Sequence, residues 1–146
     1  MSFLISVIDG HDVYVAAPVS KLGYSHLLKE DKHILACIND DRVLFDLHTK
    51  KLTIASPITF KSLKTAIMPN IPEGYHDIVI ATNEIIYHVD HEGNVIVNTS
   101  YLAIGSNSSV IYGALFATEH LGMDPKDRIE IALKAIDVLE YELVGI

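Results

Sequence analysis

Short runs of β-branched residues, cut by charged turns, alternate along this chain with stretches whose apolar residues recur at helical spacing. Residues 3–8 and 13–17 are two such runs, with Asp9-Gly-His-Asp12 between them. Asp-Gly predicts a hairpin here, because glycine accepts the positive φ that a tight turn requires. Residues 25–28 and 33–38 predict a second strand pair across the charged turn 29–32. Asn39-Asp-Asp41 offers an N-cap to a helix carrying Val43, Leu44 and Leu47. Within 57–68, Phe60, Leu63 and Ile67 keep a helical spacing, and Pro69 ends it.

The second half repeats the alternation. Strands are expected at 77–81, 85–89, 94–97 and 101–104, with a turn at 90–93. The last of them runs into Gly105-Ser106 and directly on into a helix, in which Gly113-Ala114 would let another backbone lie close. Asp124-Pro125 opens a final helix, with Asp as N-cap, Pro at the first helical position and Asp127 near the positive end of the dipole. Its expected buried stripe is Ile129, Ala132, Leu133, Ile136 and Leu139.

The order is strands, two helices, strands, two helices. Two antiparallel sheets with a helix pair on each outer face would bury all these surfaces, giving an α+β, four-layer α-β-β-α sandwich. Periodicity alone permits other α+β arrangements. No linker, internal repeat or low-complexity segment interrupts residues 1–146, so a single domain is expected.

Composition narrows the functions. At 49% hydrophobic and 21% charged, the chain can bury a sizeable core. A net charge of −8 argues against a nucleic-acid groove or an anionic membrane surface. The single cysteine, Cys37, sits in an apolar run and reads as a buried reduced thiol. No run approaches the ~20 apolar residues of a membrane span, and no secretory signal is visible at the N-terminus. A soluble, cytoplasmic protein is expected.

The segment from Tyr101 to Thr118 carries the first chemistry, because it gathers the Ser106 hydroxyl and helix N-terminal amides at one spot. It resembles the Gly-Ser-Gly-x-x-x-Ala-x-Gly-x-Leu segment of proteasome β-type subunits and of the related bacterial peptidase that works with an ATP-driven unfoldase. The N-terminal hairpin is similar to that family as well. Val13-Tyr-Val-Ala-Ala-Pro18 follows its Val-Ala-Ala-Asp-like motif up to the final position. With Met1 removed, Ser2 is the terminus and stands sixteen positions before Pro18, the family's spacing from nucleophile to motif aspartate.

The resemblance implies the N-terminal-nucleophile-hydrolase fold and, for an intact member, a terminal hydroxyl that attacks a carbonyl while the α-amine takes the proton. The family adds a lysine that tunes this pair and an aspartate that holds the lysine. Here Pro18 replaces the aspartate, the lysine position falls at Tyr24-Ser25-His26, and Lys21 is out of register with it. Asn107 replaces a glycine, and a complete final strand is expected to be missing because the chain stops at Tyr141-Glu-Leu-Val-Gly-Ile146. Ser2, His26 and Ser106 are the candidate catalytic residues if activity survives. Otherwise Ser106 reads as a helix cap and His26 as a solvent-facing or hydrogen-bonded histidine.

Other constellations are weaker. His88-Val-Asp-His91 would need further ligands to hold zinc and reads as a solvated turn, and no cofactor-binding motif is present. The leading expectation is a scaffold with little or no peptidase activity, acting by self-assembly or binding. By resemblance it would form a homo-oligomer, either a dimer or a ring. The alternatives are an active N-terminal-serine peptidase or amidase, and a module that co-assembles with a genuine peptidase ring and blocks it.

Overall fold

A computed structural model describes residues 2–21, 23–38, 41–50, 58–67 and 77–146. The chain begins with the expected hairpin, β1 (Phe3–Asp9) and β2 (Asp12–Ala17), followed by β3 (Leu27–Lys29) and β4 (His33–Cys37). Helix α1 (Asp41–His48) leads on to α2 (Phe60–Ser62), which widens into a π-helical turn over Leu63–Ile67. Strands β5 (Ile78–Thr82), β6 (Ile86–Val89), β7 (Val95–Asn98) and β8 (Tyr101–Gly105) come next, then α3 (Ser108–Thr118), α4 (Pro125–Ala135) and β9 (Glu142–Gly145). The expected caps Asn39 and Asp40 and the stop at Pro69 lie outside the described residues.

Two antiparallel sheets result, ordered β8-β1-β2-β9 and β3-β4-β5-β6-β7. Three apolar layers hold them. Leu4, Val13, Val15 and Leu102 of the first sheet meet Ile34, Val79 and Ile86 of the second. The other face of the first sheet, with Phe3, Ile5 and Val7, packs under Ile111, Leu115, Ile129 and Leu133 of α3 and α4. The other face of the second sheet, with Leu35, Cys37 and Ile80, packs under Val43, Leu44, Leu47 and Leu63. The expected four-layer sandwich is therefore the observed architecture. Because β1 and β4 are covered on both faces, they read as near-continuous apolar runs and not as alternating ones. Cys37 is buried beneath α1, as its apolar setting predicted.

Local chemistry sets the helix ends. Thr59 and Ser62 form a reciprocal capping box: the Ser62 amide donates to Thr59 Oγ1 (3.0 Å) and the Thr59 amide to Ser62 Oγ (2.9 Å). Helix α4 starts at Pro125 after Asp124, although the Asp124 side chain makes no capping bond. Arg128 lies buried between α3 and α4, its Nε donating to Thr118 Oγ1 (3.1 Å) and its Nη2 to the Leu115 carbonyl (2.8 Å). The guanidinium thus satisfies one carbonyl and one hydroxyl near the C-terminal, negative end of α3, and it also stacks 5.5 Å from the Tyr101 ring.

Two expectations need correction. The stripe of α4 does not reach Leu139, which is 80% exposed, because Asp137 takes a positive φ of 59° and turns the chain after Ile136. The final strand is not missing. Residues 142–145 pair with β2 as β9, from Ala17 opposite Glu142 to Tyr14 opposite Gly145. The short apolar tail offered little periodicity, and the exposed edge of β2 supplies its partner.

Gly105 fixes how β1 meets β8. The pair runs antiparallel with Phe3 opposite Gly105 and Leu4 opposite Ile104. Gly105 has φ +125°, and a Cβ there would overlap the Ser2 carbonyl oxygen. Backbone therefore lies on backbone at this glycine, whereas Gly113, where close approach was expected, faces open space. Gly105→Ala combines a forbidden φ with that overlap, so a loss of at least ~2 kcal/mol is expected, read from chemical denaturation midpoints. Gly113→Ala should be neutral or slightly stabilising in the same assay.

His33 is 3% exposed, and neither ring nitrogen has a hydrogen-bond partner. Burial pushes its pKa below the ordinary 6.5, against a smaller opposing pull from Glu30. The unfolded chain therefore takes up this proton first as pH falls. Stability should be full above pH 6.5 and decline as pH drops through the lowered folded value. Thermal melts of His33→Leu should show a shallower acid-side decline than the native chain.

Candidate active site

The open end of the sandwich where β1 begins collects the predicted residues. Continuing the β1–β8 register places position 2 opposite position 106, so the two candidate hydroxyl residues, Ser2 and Ser106, share one sheet edge. Ser2 is half-buried and Ser106 exposed. Ser106 does not cap the helix as expected. Asn107 holds the N-cap position, makes no side-chain capping bond, and leaves Ser106 in the turn between Gly105 and α3.

Across β1, the β1–β2 register pairs Ile5 with Ala16 and, continued, sets Phe3 opposite Pro18. Proline there ends the ladder because it has no amide proton to donate. It also brings no side-chain acceptor to the place where the resemblance expects an aspartate.

A carboxylate nevertheless stands beside this spot. Glu142 opens β9 directly opposite Ala17, and its Oε2 accepts the Ser25 hydroxyl at 2.6 Å. Ser25 Oγ in turn accepts the Leu27 amide (3.0 Å), and the Ser25 carbonyl accepts a hydrogen bond from His48 Nε2 (2.7 Å). The loop before β3 is therefore tied to β9 on one side and to α1 on the other. Tyr24 adds an edge-on contact with Phe45, ring centroids 5.9 Å apart. Sequence reasoning missed Glu142, since it lies in the tail that predicted no strand. Its signal was the apolar Leu143-Val144 following it.

His26 is not brought to Ser2 by any contact. Its Nδ1 donates to the Cys37 carbonyl (3.1 Å), and its own carbonyl accepts the Cys37 amide (3.1 Å). Its partner in that pairing, Cys37, packs beneath α1 on the far face of the sheet. Lys21 is exposed in the loop after β2.

The His88–His91 pair separates as well. His88 Nε2 lies 2.7 Å from Asp77 Oδ1, while His91 stands in the turn 3.8 Å from Glu92. Among the described residues no group of three metal-ligating side chains comes together. Nor is any described helix long and apolar enough to cross a membrane. Asp77 was legible only as the start of a strand. Its pairing with His88 needs the β5–β6 hairpin register, in which Val79 faces His88.

Comparison with known proteins agrees with this geometry. Residues 78–144 match the family model described as "Proteasome subunit". No curated protein matches the chain in sequence. Among solved structures, BPH of Thiobacillus denitrificans in complex with epoxomicin superposes with a TM-score of 0.73 at 15% identity, covering 99% of this chain and 97% of that one. The same protein described without epoxomicin gives 0.69 at 15% identity with the same coverage. A eukaryotic HslV from Trypanosoma brucei gives 0.55 at 16% identity, covering 98% of each chain. The second half of the chain thus resembles a proteasome subunit in sequence, and the fold it shares end to end with these structures is the N-terminal-nucleophile-hydrolase fold.

Proposed function

We propose that the chain is a cytoplasmic proteasome-type subunit that works by assembling with copies of itself and has lost the family's lysine-dependent peptidase chemistry. One observation carries the assembly: the outer surface of α3 and the turn after it exposes Phe116 (72%) and Leu121 (66%), with Val110 on the same helix. An exposed apolar row of this kind on a helical layer marks an interaction surface, and family members are expected to stack through that layer. The loss of chemistry is supported by Pro18 at the aspartate position and by Ser25, tied to Glu142, in the stretch where the lysine is expected.

A second reading retains a working hydroxyl at Ser2 with a rearranged base, making the chain an N-terminal-serine peptidase or amidase. Two carboxylate-anchored groups at the open end, Ser25–Glu142 and His88–Asp77, favour it.

Light scattering should find an oligomer for the native chain, and Phe116→Glu with Leu121→Glu should shift it to the monomer mass with the circular dichroism spectrum unchanged. A native chain that is monomeric overturns the assembly reading. Fluorogenic peptides should be cleaved no faster by the native chain than by Ser2→Ala. Cleavage that Ser2→Ala abolishes would instead establish the second reading.

A further inference from the structure

We propose that His88, oriented by Asp77, is the base that serves the Ser2 hydroxyl in place of the missing lysine; this rests on the second reading above. Four observations converge on it. His88 Nε2 donates to Asp77 Oδ1 at 2.7 Å, with the side chains only 12% and 25% exposed. Donation from Nε2 makes Nδ1 the lone-pair nitrogen of a neutral imidazole, and Nδ1 has no partner among the described residues.

The pair faces the right way. His88 follows Ile86 by two positions on β6, and Asp77 precedes Val79 by two on β5. Both Ile86 and Val79 pack between the sheets against Leu4 and Leu102, so the two-residue period turns His88 and Asp77 toward the first sheet as well.

The pair also sits at the right end. Cys37, at the end of β4, pairs with Ile78 at the start of β5, which pairs with Val89 at the end of β6. Cys37 also bonds His26, next to the Ser25 that reaches Glu142 on the first sheet. That is the end where β1 starts. Laterally, only Thr99 and Ser100 join β7 to β8, so the β6–β7 side of one sheet lies over the β8–β1 side of the other. Ser2 and Ser106 occupy that side.

A purely structural role would need only the Nε2–Asp77 bond and leaves Nδ1 of this pair unused. Among the described residues the charged groups at this end include Asp90, engaged by the Glu92 and Asn94 amides of its own turn, Glu142 on the far side of β2, and the α-amine of residue 2.

In the reaction the Ser2 oxygen forms a bond to an electrophilic carbonyl carbon as its proton passes to His88 Nδ1. The carbonyl electron pair moves to its oxygen, and Asp77 holds the resulting imidazolium. Against a peptide epoxyketone the α-amine then opens the epoxide. Its C–O electron pair stays on that oxygen, which is protonated, and His88 returns its proton to the alkoxide. No group leaves, so the adduct weighs the protein plus the whole probe.

The test uses the full chain and a peptide epoxyketone, with adduct formation followed by intact mass. Expected is one adduct on a chain lacking Met1, lost in Ser2→Ala and slowed ~100-fold or more in His88→Ala. Added imidazole should partly restore His88→Ala but not Ser2→Ala, an effect that a structural defect would not show. Asp77→Asn should slow labelling while leaving the assembly mass and melting temperature near native. His88→Gln guards against misfolding of the alanine variant and should be equally slow. Labelling of the native chain that His88→Ala and His88→Gln leave unchanged overturns the proposal and spares the second reading. A native chain that takes no label, or that keeps Met1, overturns both.

Discussion

The contact of Gly105 with the Ser2 carbonyl governs this molecule. It is where a backbone with positive φ, open to glycine and strained for any other residue, lets β8 close against the first residues of β1. The register that follows sets Phe3 under the α3–α4 layer and Leu4 into the space between the sheets. A slip of one residue would exchange these faces along the whole strand. The same contact holds residue 2 beside Ser106, so one constraint on packing is also the constraint on any chemistry at the terminus.

Within the sandwich, polar groups are tolerated according to how they are satisfied. Arg128 is buried but spends its hydrogens on the end of α3 and its face on Tyr101. Removing it would strand acceptors at a helix end, which costs more than the net worth of the bonds. Ser6 and His33 are the opposite case, buried with side-chain atoms that find no partner. The hydroxyl of Ser6 points with Leu4 into the layer between the sheets, a small polar group in an apolar layer. His33 avoids the larger cost of a buried charge by staying neutral.

At the open end, charge has moved. A proline occupies the place of an expected aspartate, and the carboxylates present belong to Glu142 on the last strand and Asp77 on the far sheet. Each is bound to a side chain that can donate, Ser25 in one case and His88 in the other. Among the described residues the end is therefore polar and anchored through these carboxylates. With Phe116 and Leu121 exposed on the helical layer, the scaffold thus carries apolar area on one surface and hydrogen-bonded polar pairs at one end.

What could be read from residues alone was whatever depends on neighbours in the chain. Asp9-Gly10 announced the first hairpin, Asp124-Pro125 the start of α4, and the apolar runs of β1 and β4 announced strands. Hydroxyls at positions 2 and 106 were legible through motif resemblance. The rest required distant segments to meet. No local pattern shows that 142–145 will complete the sheet beside β2, that Asp77 will face His88, or that the close-packed glycine is Gly105 and not Gly113. Leu139 likewise kept its helical spacing in the sequence, yet the turn at Asp137 carries it into solvent. Sequence determined the elements, because propensity and periodicity act over a few residues. Tertiary structure decided the site, because its members are joined by strand register and sheet stacking across more than a hundred positions.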